Sequence, residues 1–464
     1  MGNTRTDLGT EKVSRLLVRL AIPTITAQIV NMLYNIVDRI YIGHIPGEGA
    51  LALTGLGLCF PVLMLVTAFS SLVGMGGAPQ ASIKMGQQDS EGAEKILGNC
   101  FTMLLVLAII LTVVFRFNGQ ALLFLFGASQ DTIGYALDYL NIYILGTISV
   151  MLSLGLNAFI TTQGFTKISM LTVVIGAAVN IVLDPIFIFE FGMGVQGAAL
   201  ATIIAQTVSA VWVLKFLLGN QTILRIKKEN MRVRSTVVLP VLALGLSPFI
   251  MTSTESLLNI CFNTSLQKYG GDLAVGTMTI LSSCMQVCSL PLQGLAQGAQ
   301  PIISYNFGAK NLSRVKEAFR LLFISAICAS SVIWLIAIFI PSFFPSLFSG
   351  DEKLIAYASW AIRIYLGMAF VMGAQMSCQQ TFVAIGEAKI SLFLALFRKI
   401  IVLIPLIYLL PNFFADKVFA VFLAEPVADT MAALTTTTLF FGRFRKLSRK
   451  TDWAGQTDLK RTGV

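Results

Sequence analysis

Residues 177–189 read AAVNIVLDPIFIF, and the two members of that run able to do chemistry, Asn180 and Asp184, are four apart. On a helix that spacing puts both on one face. A carboxylate at the centre of a membrane helix costs at least about 2.5–3.5 kcal/mol, so it is read first as part of a working site. A second stripe, Thr24, Gln28, Asn31, Asn35 and Asp38, advances by alternating steps of four and three and forms one continuous helix face. Two carboxylates brought together in a low-dielectric site resist double ionisation and can carry a proton between them. Surrounded by amide and hydroxyl oxygens, they equally suit a hard cation such as Na⁺. The sequence leaves both chemistries open.

Such residues need long apolar helices to hold them, and the composition supplies these. The chain has 464 residues, 56% hydrophobic and only 12% charged, with a mean hydropathy of +0.79. These values exclude a soluble globular protein and imply an all-α polytopic membrane protein embedded in the bilayer. The net charge of +10 is then read by position, as loop charge, and no nucleic-acid-binding pattern competes with that reading. Windows of about 20 apolar residues fall at 15–41, 52–77, 92–115, 131–153, 165–189, 195–218, 236–267, 272–300, 315–340, 353–376, 390–410 and 417–441, which predicts twelve transmembrane helices. Pro185, directly after Asp184, marks a boundary in the fifth. The amino terminus has no small-residue cleavage site and reads as a retained first helix.

Basic residues set the orientation. The even-numbered connections and both termini carry Arg5, Lys12, Lys84, Lys95, Lys167, the run RIKKENMRVR, Lys310, Arg314, Lys316, Lys389 and RKLSRK at 445–450, whereas the odd-numbered ones carry little beyond Arg116, Lys268, Lys353 and Lys417. Both termini are therefore expected in the cytoplasm of a bacterial inner membrane. The chain also repeats itself. GAPQASIKMGQQDSEGAEK (77–95) aligns with AQPIISYNFGAKNLSRVKE (299–317), and GFTKISML (164–171) with GEAKISLF (386–393), both at an offset of 222. Two matches at one offset predict two pseudo-symmetric six-helix lobes, 1–218 and 236–441, joined by a solvated basic linker at 219–235 and followed by a basic tail at 442–464. Parallel repeats of this kind place a shared cavity between rocking lobes, the architecture of a transporter.

Polar stripes cannot face lipid. The seventh segment, repeat partner of the first, carries Thr252, Glu255, Asn259 and Asn263, so Gln28, Asn31, Asn35, Glu255 and Asn259 are assigned to a substrate cavity. The alternative for any single amide is an interhelical hydrogen bond. Counted from the outer ends, Asp38, Tyr139, Asn180, Asp184 and Thr202 lie within about two helical turns of one another in depth and form one candidate cluster for a proton or Na⁺. Pro23 removes a backbone hydrogen bond and makes a bend in the first helix cheap, either as an ordinary kink or as a hinge biased by protonation of Asp38. Arg398 and its neighbour Lys399 are expected to pair with Glu425 or Asp429, and Arg363 lies at the depth of Glu255; these read as structural pairs. Seven scattered cysteines read as small core residues, and His44 as a surface residue.

The stretches AIPTITAQIVNMLYNIVDRIYIG (21–43), QPIISYNFGAKNLSRVKEA (300–318), NIVLDP (180–185) and AEPVAD (424–429) resemble the multidrug and toxic compound extrusion (MATE) transporters, in particular the DinF-like and MepA-like bacterial branch. The resemblance covers nearly the whole chain. It implies a monomeric antiporter that exports cationic or amphipathic drugs against H⁺ or Na⁺ and needs no cofactor. It further implies a coupling site at Asp38, Asn180 and Asp184, supported by Tyr139 and Thr202. NorM-like members use a helix 7 acid, which Glu255 matches, together with a helix 10 acid, and helix 10 here, YLGMAFVMGAQMS (365–377), has no carboxylate. A major-facilitator transporter would carry a charged motif where this chain has KMGQQDSEGAEK. Two other functions compete: a flippase for a lipid-linked precursor, which would line its cavity with Arg or Lys, and an intramembrane enzyme, which would need a metal-ligand or nucleophile–base set that one His and dispersed cysteines do not provide.

Overall fold

A computed structural model describes residues 7–347 and 352–461; for Ala50 and 447–461 it describes the backbone alone. Arg5 and the basic side chains beyond Lys446 therefore lie outside the described residues. The helices are α1 (Val13–Gly43), α2 (Gly49–Gly86), α3 (Ser90–Leu125), α4 (Ile133–Leu145, then Thr147–Thr162), α5 (Thr166–Pro185, continued by a wide π turn, Ile186–Glu190) and α6 (Gly194–Leu218). They continue as α7 (235–270), α8 (272–308), α9 (Leu312–Phe339), α10 (Glu352–Tyr365, then Ala369–Ala384), α11 (Ala388–Leu396, a π turn at Phe397–Leu403, then Ile404–Leu409) and α12 (Lys417–Arg461).

The α7–α8 segment has helical hydrogen bonding from Ser235 to Gly308, but Gly271 interrupts it at φ 65°, ψ −160°. An unbroken helix of 74 residues would be about 110 Å long, several times the bilayer core, so the glycine divides two spans. Two other spans are bent, α4 by 59° and α10 by 50°. At the α4 bend Gly146 packs against Ile203, where a Cβ would collide. At the α10 bend the Gly367 carbonyl, freed from the helix, accepts from the Trp334 indole at 2.7 Å. The predicted spans at 131–153 and 353–376 are thus too short, because each continues after its bend. Pro185 ends nothing: the chain passes through it into the π turn. α12 continues into the basic tail as far as Arg461.

Three apolar clusters hold the helices together. One belongs to α2–α6 and includes Leu97, Leu104, Tyr139 and Phe159; a second belongs to α7–α12 and includes Phe262, Leu281, Tyr365 and Phe422. The third joins Leu8, Leu16 and Leu20 from the start of the chain to Ile302, Phe319, Phe382 and Phe440. The first turns of α1 therefore pack in the carboxy-terminal half. Arg314 fastens the lead-in, donating to the carbonyls of Glu11 (2.6 Å) and Leu8 (3.3 Å), and Asn306 donates to Leu8 at 2.9 Å.

The linker at 219–235 corrects the expectation of a solvated loop, for it docks on the amino-terminal half. Gln163 Oε1 accepts from Thr222 Oγ1 and from the backbone N–H of Ile223 and Leu224, each at 2.8 Å. Asn99 donates to the Asn230 carbonyl at 3.1 Å and accepts from Arg234 N–H at 2.8 Å, while Lys227 pairs with Glu94. Its basic residues disguise a segment whose Thr222, Leu224 and Ile226 are buried.

The two halves meet along a glycine seam. A Cβ on Gly245 of α7 would overlap the Leu72 backbone of α2, one on Gly76 would overlap Val241, and Gly86 and Gly308 oppose Tyr305 and Ile83 in the same way. Thr24 of α1 adds a hydrogen bond to the Gly294 carbonyl of α8 at 2.6 Å. A Gly245→Ala substitution is expected to part α2 from α7, costing about 1–3 kcal/mol of stability and raising amide hydrogen exchange in 70–78 and 241–249. Unchanged exchange there would show that the backbones are not in contact.

Candidate functional site

The C-terminal parts of α1 and α5 and the N-terminal parts of α4 and α6 bring five polar residues together. Asp184 is fully buried, and Asn180, Tyr139 and Asp38 are 1%, 2% and 8% exposed. The Asp38 and Asp184 carboxyl groups lie within hydrogen-bonding reach of each other. Asn180 Nδ2 donates to Asp184 Oδ1 at 3.1 Å and approaches Thr202 Oγ1 at 3.5 Å. Thr202 gives its hydroxyl proton to the Ala198 carbonyl at 3.0 Å, which leaves its lone pairs toward the site, where Tyr139 reaches it. Helical geometry explains the convergence. Asn180 and Asp184 share a face of α5, and the Asp38 face of α1 packs along α5.

Three oxygens in this cluster, Asp38 Oδ1, Asn180 Oδ1 and Asp184 Oδ2, are buried with no hydrogen-bond partner among the described residues. Native interiors rarely tolerate such groups, and here they collect at one point. Two unit charges 4 Å apart repel by about 4 kcal/mol even at an effective dielectric of 20, so one proton, or one bound cation, is needed to hold the pair together. Arg39, next to Asp38, lies over the Phe60 ring at 5.6 Å.

Sequence reasoning missed two members of the site. Tyr34 lies close to both acids and to Asn35 and Gln206. Tyr34 precedes Asp38 by four residues and Gln206 follows Thr202 by four, and that spacing was the available signal. Both line a polar cleft that leads from Asn180 deeper into the amino-terminal half, with Asn31, Asn157, Thr172 and Ser209. The cleft lining is neutral: amides, hydroxyls and small apolar residues.

The residues assigned to the cavity lie in different surroundings. Of the five assigned cavity residues only Asn31 lines this cleft. Asn35 is exposed and donates back to the Asn31 carbonyl at 2.6 Å, and Gln28 is half-buried outside the cleft. Asn259 is exposed on α7 and accepts from Ser282 at 3.4 Å. α1 runs through Pro23 as one helix.

In the other half, Arg398 holds Asp429 through Nε (2.9 Å) and Nη2 (2.6 Å) and Glu425 through Nη2 (2.9 Å). Glu255 pairs with Lys399, not with Arg363; the Arg363 guanidinium donates to the Ile338 carbonyl at 3.2 Å. The correction has a local cause. The π turn at Phe397–Leu403 widens α11 and lets the consecutive Arg398 and Lys399 both reach inward. Depth alone, counted along ideal helices, could not show that.

Known proteins of this shape exist. A family model, MatE, matches residues 23–186 and again 248–409. Multidrug export protein MepA of Staphylococcus haemolyticus is 23% identical over 422 residues, covering 90% of this chain and 92% of that protein. MepA of Staphylococcus aureus is 23% identical over 426 residues, covering 91% and 93%. Among solved structures, a crystal structure of MATE in complex with MaL6 superposes with a TM-score of 0.88 at 23% identity, over 96% of this chain and 98% of that one. A MOP superfamily transporter from Pyrococcus furiosus gives 0.88 at 23% identity over 95% and 99%. The double match of one family model over most of the sequence means that the chain belongs to the MatE family of membrane transporters.

Proposed function

We propose that the protein is a secondary antiporter of the bacterial plasma membrane that exports amphipathic, cationic small molecules in exchange for H⁺. The observation that carries this reading is the pair of carboxyls, Asp38 and Asp184, close to each other and holding two of the cluster's three unpartnered buried oxygens, the third being Asn180 Oδ1. A shared proton satisfies both acids at once. Its loss charges the outer end of α1, and its return neutralises it. The same oxygens favour Na⁺ as the second reading, with Asp38, Asp184, Asn180 and Thr202 as donors. The relatives named for multidrug export support the cargo class. The neutral cleft beside the acids supports it too, since an anionic headgroup carried by a flippase would call for Arg or Lys there. The basic loops support a cytoplasmic location for both termini; on that reading the glycine seam closes the cytoplasmic side and the acid pair lies toward the outside, an outward-open arrangement of an alternating-access cycle. A monomer suffices for this cycle.

The test is ethidium export from vesicles under separately imposed H⁺ and Na⁺ gradients, with ethidium binding to the purified protein measured alongside. Export driven by the H⁺ gradient alone is expected. Export driven only by Na⁺ establishes the second reading, and binding without export under either gradient overturns the antiporter.

A further inference from the structure

The pairing of Lys399 with Glu255 is asymmetric. The lysine side chain is 3% exposed and the glutamate side chain 56%. A carboxylate is not stable against hydrocarbon, so the open edge of Glu255 faces water. The ammonium has two acceptors among the described residues, Glu255 Oε1 and the Met251 carbonyl. Arg398, its sequence neighbour, is committed to Glu425 and Asp429 and repels it. A buried ammonium stripped of its carboxylate is costly, and it escapes that cost by giving up a proton.

We infer that Lys399 and Glu255 form a second exchange site, at which the Lys399 ammonium and an amphipathic cation from the inter-lobe space compete for the Glu255 carboxylate. This rests on the exporter reading above and extends it. The balance is complete: the cation enters on Glu255, Lys399 goes from ammonium to amine, and the released proton leaves to water past the exposed edge of Glu255. Charge is conserved, one cation in for one proton out. In reverse, a proton taken up by Lys399 regenerates the ammonium, which reclaims Glu255 and expels the cation. Lys399 is bound to Glu255 in this structure, the cation-released state of that cycle.

The surroundings fit the ligand class. Met251, whose sulfur accepts from Gln379 Nε2 at 3.2 Å, offers a polarizable surface to an aromatic cation, and the linked amides of Gln375 and Gln379 (2.6 Å) supply neutral polarity. The titratable groups around the pair are Arg398 on α11, Glu425 and Asp429 on α12, and Tyr365 on α10. With Glu255 the cluster holds three carboxylates against two cations, so it keeps an attraction for positive charge throughout the exchange.

The test uses the full-length protein in lipid nanodiscs, in an Asp38→Asn/Asp184→Asn background that silences the amino-terminal acids, with ethidium binding followed by fluorescence from pH 6 to 8. One-for-one competition predicts that ethidium affinity rises about tenfold per pH unit. Adding Lys399→Met should flatten that slope and tighten binding at pH 6 at least about tenfold, because the competitor is gone. Lys399→Arg, which cannot release its proton, should keep binding weak and pH-independent, and Glu255→Gln should weaken binding at every pH. A flat profile in the Asp38→Asn/Asp184→Asn background, or an unchanged slope after Lys399→Met, overturns the exchange site while leaving the exporter reading intact. No ethidium binding by the unsubstituted protein sinks both.

Discussion

Asp38→Asn and Asp184→Asn variants are each expected to reach the membrane in normal amount and to confer no more drug resistance than an empty vector in an efflux-deficient host. The amide keeps the size of the carboxyl group and can still hydrogen-bond across the Asp38–Asp184 contact, so the packing of α1 against α5 survives. What it cannot do is bind and release a proton. Loss of efflux with normal expression separates the chemical role from a structural one. Undiminished efflux in both variants would remove the amino-terminal acids from the coupling mechanism. The Asn180 side chain bears on the same point: it donates to Asp184 at 3.1 Å and so fixes the position of that carboxyl in the cluster.

The second large effect is on stability. Arg398 is the guanidinium that pairs with two buried acids, Glu425 and Asp429, whose side chains are 6% and 4% exposed. Arg398→Met should cost about 3–5 kcal/mol, because removing one member of a buried ionic group strands the others without compensation. Replacing all three in an Arg398→Met/Glu425→Gln/Asp429→Asn variant should recover most of that loss. Thermal unfolding in lipid nanodiscs distinguishes the cases. A single variant as stable as the triple would mean that the carboxylates find another partner.

The spans and the duplication were legible in the sequence because both are periodic, and a bilayer imposes its thickness on every apolar run. The acid cluster was legible because helical spacing and depth place Asp38, Asn180 and Asp184 without reference to any neighbour. What escaped was everything set by a local departure from ideal helix. The bends after Leu145 and Tyr365 answer to Gly146 against Ile203 and to Trp334 on Gly367, contacts between residues remote in the chain. The π turn that turns Lys399 toward Glu255 has no compositional signature. The basic linker was misread because charge was weighed and its alternating Thr222, Leu224 and Ile226 were not. Tyr34 was hidden by its type, an aromatic in an apolar helix, although its spacing from Asp38 was visible.

The Arg314 clamp on the carbonyls of Leu8 and Glu11 also bears on how the chain is made. Those hydrogen bonds join residues 306 and 303 positions apart, so α1 cannot complete its packing until α8 and α9 have been synthesised. Until then Leu16 and Leu20 wait in the membrane with their partners missing, and the amino-terminal half is held by its own core alone. Final assembly is therefore a late, long-range closure, the slow kind of step in which partly folded chains are most exposed to mispairing.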